Sequence, residues 1–486
     1  MDPPWPGRGL SARGQGRRAP TVSTWLRRRA GPGSAYGLGP GLDGRVTDVL
    51  RTTAAIAAGK LARTASRLRG GGSGGSALPG LVAERIDPGF LRSTLGELPR
   101  GIVVVSGTNG KTTTTKMVVA LLRAHGLRVL TNPTGSNFTR GVISSMLAEL
   151  PLTGRVDADI AVLELDEAHA LKFAEVVAPT HALLLNVARD QLDRFAEIDY
   201  TAGLLTRLAE QTTRGVVLNR DDSFISRIDE RVRPGAEVRW FGVDPSIADR
   251  LPELQEADVR FSEADDVPAA GPSDGLLKPV DDHSFTVVFG DGHDVGPVTL
   301  RQRGLAAMIN ATAATSLVRL LLGAEFRHTT ASEALATVTP PFGRGEVVDV
   351  DGQPLELVLV KNPAGFTVAL GTYGTTPVAS MIAINDNYAD GQDVSWLYDV
   401  SFESLRDLGV AVTSGVRAYD MALRLRYDDV PVAAVQPELE TALDLFLAEH
   451  RDEPKRIFCT YTAMMALRRV LAQRYDLPDF GEEAKA

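Results

Sequence analysis

The 486-residue sequence holds a single cysteine, Cys459. One thiol excludes an internal disulfide framework and any cysteine-based zinc site, and it fits a reducing compartment. The seven histidines are scattered, with no His-Glu-x-x-His or comparable cluster, so no zinc is expected. No run of about 18 apolar residues is present, and no membrane-spanning helix is expected. Positive charge is also in short supply overall. Fifty-two Lys and Arg stand against 61 Asp and Glu, a net of -9 with pI near 5.4, which excludes a nucleic acid backbone as the main partner. The Arg-rich start lacks the continuous apolar segment of a secretory signal. The expectation is a cytoplasmic protein that would meet any lipid-bound substrate at the inner face of the membrane.

What is present is enough apolar content, 44%, for two or three cores. Residues 1–45 are rich in Arg, Gly and Pro without amphipathic period and read as a disordered tail; a basic, membrane-touching tail is the other reading. Val46–Arg69 repeats apolar residues at helical spacing until GGGSGGS breaks it. Beyond it, short apolar strands alternate with helical stretches: IVVVS at 102–106, IAVLEL at 160–165, HALLLNV at 181–187 and GVVLN at 215–219. That alternation predicts an α/β fold with a parallel sheet covered on both faces. Residues 244–282 are acidic and weakly periodic and read as an insertion or long loop. A helix is expected near 305–322 and a hinge at PPFGRGE, 340–346. LELVLV, SMIAIN and VAVTSG then give strands of a second, smaller α/β domain. The expected division is a tail at 1–45, a nucleotide-binding domain at 46–343 and a carboxyl-terminal domain at 344–486.

The strongest chemical signal is VVVSGTNGKTTTTKMVVALL. A buried strand ends at Ser106, a glycine-containing turn follows, and a helix opens near Lys111. Gly107 and Gly110 let the backbone turn tightly and aim N–H groups at a phosphate, to which the helix N-terminus adds partial positive charge. Thr108, Asn109 and Thr113 complete the cradle, Lys111 would contact the terminal phosphates, and Thr112 would offer its hydroxyl to Mg²⁺. The spacing is the short GTxGKT form, because Val105 stands where the longer loop has its first glycine. ATP or GTP is the expected ligand.

This loop resembles that of the Mur ligases, which couple ATP cleavage to joining a carboxylate with an amine. The resemblance extends to Glu164, at the position where the family places a carboxylate on Mg²⁺. It includes Asn186, Asp190 and Asp193 in LNVARDQLDRFAEID, with Gln191 in place of a metal-binding His. In NRDD at 219–222, Asn219 and Asp222 are the nucleotide-contacting candidates. The departures narrow the family. No Lys occurs between Lys172 and Lys278, where amino-acid-adding members carry a CO₂-modified lysine. In RGLAAMINATAA only Gly304 and Asn310 match the family pattern, with Ala306 and Ala307 replacing His and Asn.

KNPAGF at 361–366, INDNYADGQDVSWLYDVSFE at 384–403 and SGVRAYDMALRLRY at 414–427 resemble the MurT-like subunits of lipid II isoglutaminyl synthases, over roughly residues 46–470. The resemblance implies ATP and Mg²⁺ as cofactors, with the metal on Thr112 and Glu164. It implies catalytic roles for Lys111, Glu164 and Asp393. It also implies a GatD-like glutaminase partner in a heterodimer, whose Cys-His pair Asp393 would complete. The implied reaction is amidation of the D-glutamate α-carboxylate of lipid II through an acyl phosphate. Arg344, Lys361 and Asn362 are candidates for gripping substrate. Many such chains carry a four-cysteine zinc ribbon; this one has no cysteine between 240 and 290. Cys459, in an apolar strand without flanking glycine, reads as a structural thiol and not a nucleophile. The other readings are an amino-acid-adding ligase, against which the absent lysine stands, and a nucleotide-binding subunit without catalysis, suggested by Gln191 and Ala307.

Overall fold

The computed structural model describes residues 42–68, 78–132, 139–189, 198–253, 267–341, 343–373 and 378–477. Its opening helix, α1, runs Leu42–Leu68, four residues earlier than the periodicity predicts. Residues 42–45, expected in the tail, therefore form its first turn, because extending a nucleated helix adds one hydrogen bond for each residue fixed. Residues 1–41 and the glycine-rich link at 69–77 lie outside the described residues, as do Asp190, Gln191 and Asp193.

Two short helices follow, α2 (Leu78–Ile86) and α3 (Phe90–Leu95), and then the alternation begins. The first sheet is built from β1 (Ile102–Ser106), β2 (Val129–Thr131), β3 (Ile160–Glu164), β4 (His181–Leu184), β5 (Gly215–Asn219), β6 (Glu237–Val243), β7 (Gly275–Pro279), β8 (Ser284–Val288) and β9 (Val295–Thr299). Its order is β2-β3-β1-β4-β5-β6-β7-β8-β9. Pairing is parallel from β2 to β7 and antiparallel across β7-β8-β9. The intervening helices are α4 (Lys111–Ala124), α5 (Thr139–Glu149), α6 (Glu167–Val176) and α7 (Ile198–Gln211).

The central strands are buried on both faces, which is why they read as continuous apolar runs and not as alternating ones. In β1, Val103 and Val105 enter the core shared with α4 and with α8 (Leu305–Leu322). Ile102 and Val104 enter the opposite core, with α5, α6 and α7. Helix α8 is long and apolar enough to cross a membrane by composition, yet two-thirds of its apolar window is buried here.

The span expected to be an insertion is only partly one. Residues 245–253 form 3-10 turns and 275–279 are β7, the strand joining the parallel part of the sheet to the antiparallel edge. The weak signal has a simple cause: β7 alternates buried and exposed positions over only five residues and ends in Lys278-Pro279.

Helix α9 (His328–Thr337) leads to the second sheet, formed by β10 (Arg344–Val350), β11 (Gln353–Leu359), β12 (Ala379–Ala383), β13 (Val410–Ser414), β14 (Val432–Gln436) and β15 (Lys455–Cys459). The order is β10-β11-β15-β12-β13-β14, with only β10 antiparallel. Helices α10 (Pro363–Tyr373) and α11 (Ala418–Tyr427) cover one face; α12 (Leu439–Glu449) and α13 (Tyr461–Ala472) cover the other. The second half of the expected hinge is thus the start of β10, with an irregular register between Arg344 and Glu346.

Candidate active site

The turn after β1 is held from behind by the strand-end of β4. Thr108 N donates to Asn186 O (2.9 Å), and Asn109 N donates to Asn186 Oδ1 (2.8 Å). Asn186 Nδ2 returns a bond to Asn109 O (3.0 Å), and Ala188 N donates to Thr108 Oγ1 (3.1 Å). Gly107 and Gly110 have φ of +131° and +87°. A Cβ on Gly107 would sit 2.9 Å from Asn186 N, and one on Gly110 would sit 2.5 Å from Asn310 Oδ1. Glycine is therefore demanded at both positions by backbone conformation and by space. The same contact brings Asn310, on α8, against the loop, while Ala307 is buried in the core.

Lys111 opens α4 and is buried, with Nζ donating to Gly107 O (2.5 Å) and Thr108 O (3.3 Å) and lying 3.8 Å from Glu167 Oε1. Its ammonium thus lies in the mouth of the turn. Thr112 Oγ1 donates to Glu164 Oε1 (2.8 Å) at the end of β3. Burial raises the Glu164 carboxyl, and Thr112, Lys111, Arg344 and Lys361 oppose that rise. The Glu164 main chain is fixed by paired bonds to Asn132: Glu164 N to Oδ1 (2.9 Å) and Nδ2 to Glu164 O (2.8 Å). A hydroxyl and a carboxylate oxygen converging beside a phosphate loop are the hard oxygen donors that Mg²⁺ takes, so these residues fit that ion.

The second sheet reaches the same loop. After β11, Lys361 Nζ donates to Thr108 O (3.3 Å) and Asn362 Nδ2 to Asn109 Oδ1 (3.3 Å). Asn362 also caps α10, accepting at Oδ1 from Gly365 N (2.7 Å), which fixes its side chain. Arg344 is close enough to Glu164 that its charge acts on that carboxyl. The structure therefore brings Lys111, Thr112, Glu164, Arg344, Lys361 and Asn362 together from two sheets.

Asn219 and Asp222 are placed differently. Asn219 Nδ2 donates to Leu185 O (2.8 Å) and its Oδ1 accepts from Asp221 N (3.0 Å). Asp222 is fully buried and accepts from the backbone N–H groups of Val187 (2.8 Å), Phe224 (3.0 Å) and Ile225 (3.0 Å). Burial pushes its carboxyl up to about 6. Both, expected as nucleotide-contacting residues, are engaged with the strand-end segment that carries Asn186. A residue type that suits a ligand suits a tight turn equally well.

Asp393 lies apart from this cluster, on the loop after β12. Of the three carboxylates in DNYADGQD, Asp386 is paired with Arg417 (2.6 Å), and Asp390 is buried with bonds from Thr462 N (2.7 Å) and Thr462 Oγ1 (2.5 Å). Asp393 is exposed; its Oδ1 accepts from Ser395 N (2.8 Å), and the Ser395 bonds hold its carboxyl below the usual range. Cys459 is fully buried, and burial pushes its thiol far up, as a structural cysteine requires.

Some residues at the site and on the surface escaped the sequence reading. Asn132 and Glu167 carry no motif of their own. Tyr419, Leu423 and Tyr427 stand 68%, 49% and 70% exposed on α11, with Tyr398 against Tyr427 at 6.0 Å between ring centroids. Their four-residue spacing in RAYDMALRLRY was the available signal, masked because an amphipathic helix is usually assumed to bury its apolar stripe.

A family model of the Mur ligase middle domain matches residues 105–317, and one of the MurT ligase C-terminal domain matches 359–464. The MurT subunit of the glutamine-hydrolysing lipid II isoglutaminyl synthase of Streptococcus pneumoniae is 30% identical over 464 residues, covering 87% of this chain and 98% of that protein. The chain belongs to the MurT family. The Staphylococcus aureus MurT subunit is 29% identical over 420 residues, covering 79% of this chain and 90% of that one. MurT membership places the chain among ATP-dependent ligases. The fold is also that of MurF from Acinetobacter baumannii, with TM-score 0.61 at 18% identity over 82% of this chain and 81% of that one. Escherichia coli FolC, solved with ADP, gives 0.56 at 16% over 79% and 92%. The phosphate loop, Thr112 and Glu164 fall in the middle-domain match, and Lys361, Asn362 and Asp393 fall in the MurT-specific one.

Proposed function

We propose that this MurT-family chain amidates the D-glutamate α-carboxylate of lipid II, using ATP and ammonia delivered by a GatD-like glutaminase, at the cytoplasmic face of the membrane. Residues 46–343 would bind the nucleotide, and 344–486 would close over it and carry the partner. The observation that carries the reading is the meeting of two sheets at one phosphate loop, with an exposed Asp393 on the second of them.

A carboxylate is anionic and has no good leaving group, so ammonia does not displace its oxygen at useful rates without activation. The carboxylate oxygen attacks the γ-phosphorus, the bond to ADP breaks, and the mixed anhydride forms; ammonia then attacks the acyl carbon, phosphate leaves and the nitrogen loses a proton. Phosphoryl transfer of this kind relies on positioning and charge neutralisation. The backbone N–H groups at 110–112 and Lys111 would hold the phosphates, which requires the Lys111 ammonium to leave Gly107 O and Glu167. Mg²⁺ on Thr112 and Glu164 would neutralise charge between the phosphates. Arg344 and Lys361 would bring further positive charge to the reacting oxygens, and Asn362 would hold the loop in register.

The glutaminase partner would need its imidazole oriented, the task of a third triad carboxylate. Asp393 suits that task because it is exposed, ionised and fixed by Ser395. The tyrosine-rich face of α11 supplies apolar area for the same partner. The test separates the two nitrogen sources. In the assembled heterodimer, Asp393→Asn should abolish glutamine-dependent amidation and leave ammonium-dependent amidation intact. Equal loss with both sources would contradict the role given to Asp393.

A further inference from the structure

Helix α1 has two faces of different use. Thr52, Ala55, Ile56 and Gly59 point to the body: Thr52 Oγ1 donates to Asp87 Oδ2 (2.7 Å), and a Cβ on Gly59 would come 2.5 Å from Leu147 Cδ1. The opposite face carries Leu50, Ala54, Ala57, Leu61 and Ala65 at helical spacing. Leu50 is 64% exposed and Leu61 71% exposed, with Ala54 and Ala65 exposed beside them. This outward stripe is apolar where a solvated helix would be polar. Arg51 flanks it on one side and Lys60 on the other.

The sequence around it is charged to match. Residues 1–69 hold thirteen Arg and Lys against three Asp, a net of +10, in a chain whose total is -9; the remainder therefore carries -19. Basic residues on both flanks of an apolar stripe, within a stretch of net positive charge, are the pattern of a segment lying in the interface of an anionic bilayer. Nucleic acid would engage the charge and have no use for the Leu and Ala stripe. A second copy of the chain would cover the stripe but would bring two +10 segments together.

We infer that the outward face of α1 from Leu50 to Ala65 docks the protein on an anionic lipid surface. The apolar stripe inserts at the headgroup boundary while Arg51 and Lys60 meet lipid phosphates. Such docking suits a lipid-linked substrate and does not depend on one.

The experiment is co-sedimentation of the full chain with vesicles of phosphatidylcholine alone and of phosphatidylcholine mixed with phosphatidylglycerol. Wild type should bind the anionic vesicles at least about tenfold more tightly than the neutral ones, and added salt should weaken that binding. The surface variant Leu50→Glu/Leu61→Glu, and separately Arg51→Glu/Lys60→Glu, should each lose roughly tenfold with unchanged thermal unfolding. Equal binding to both vesicle types, no binding to either, or variants that bind as wild type would overturn the inference. So would a wild-type dimer in sedimentation velocity that the leucine variant dissociates. Amidation of detergent-solubilised lipid II by the leucine variant is measured in parallel. Its absence in wild type as well, with vesicle binding retained, contradicts the amidation reading and leaves the membrane docking standing.

Discussion

Lys111, Thr112 and Glu164 form the smallest unit on which the proposed chemistry would depend. Lys111→Ala removes the ammonium held by Gly107 O and Thr108 O and should lower amidation by roughly a hundredfold or more, with the fold retained. Glu164→Gln keeps the shape and the bond to Thr112 but removes the charge expected on Mg²⁺. It should raise the Mg²⁺ concentration needed for half-maximal ATP turnover by about tenfold. These residues were legible in the sequence because strand, glycine turn, Lys and Thr must occur in that order for backbone N–H groups to face a phosphate. The hydrogen bonds of Asn219 and Asp222 were not legible there. Their polar atoms look outward on paper, and only the fold shows Val187, Phe224 and Ile225 taking up the Asp222 carboxylate.

At the scale of elements, the turn after β1 is braced by Asn186. Asn186→Ala removes the bonds to Asn109 N and O and should raise KM for ATP by about tenfold while kcat falls less. The first strand-turn-helix unit could be read directly, since both faces of β1 are buried and its residues are uniformly apolar. The antiparallel edge could not: β7 to β9 bury only part of their residues, and their signal is diluted by turns such as Asp281-Asp282-His283.

His181, at the start of β4, gives that sheet a pH signature. Burial pulls its imidazole from 6.5 down to about 4. Between those values the unfolded chain binds a proton that the folded chain does not. Stability is therefore full above pH 6.5 and declines as pH falls towards 4. A His181→Gln variant should show a flatter dependence of the unfolding temperature across that window; a slope equal to wild type would assign the acid sensitivity to other groups.

For the whole molecule, the account requires two sheets to act on one substrate. Lys361 and Asn362 contact the loop across more than 250 residues of sequence, a relation no local pattern encodes. Asn362→Ala should therefore lower kcat for amidation several-fold more than it weakens ATP binding. The proposed partner surface is tested by Tyr419→Asp/Leu423→Asp on the exposed face of α11. This variant should prevent heterodimer formation in gel filtration and abolish glutamine-dependent turnover while ammonium-dependent turnover persists.

The most direct measurement is mass spectrometry of lipid II incubated with ATP, Mg²⁺ and ammonium, with wild type and with Lys111→Ala. The account predicts that wild type replaces one carboxyl hydroxyl of the stem peptide by an amino group, on D-glutamate, and that the variant leaves the mass unchanged. An unchanged lipid II mass with wild type, even after adding the glutaminase and glutamine, would contradict it.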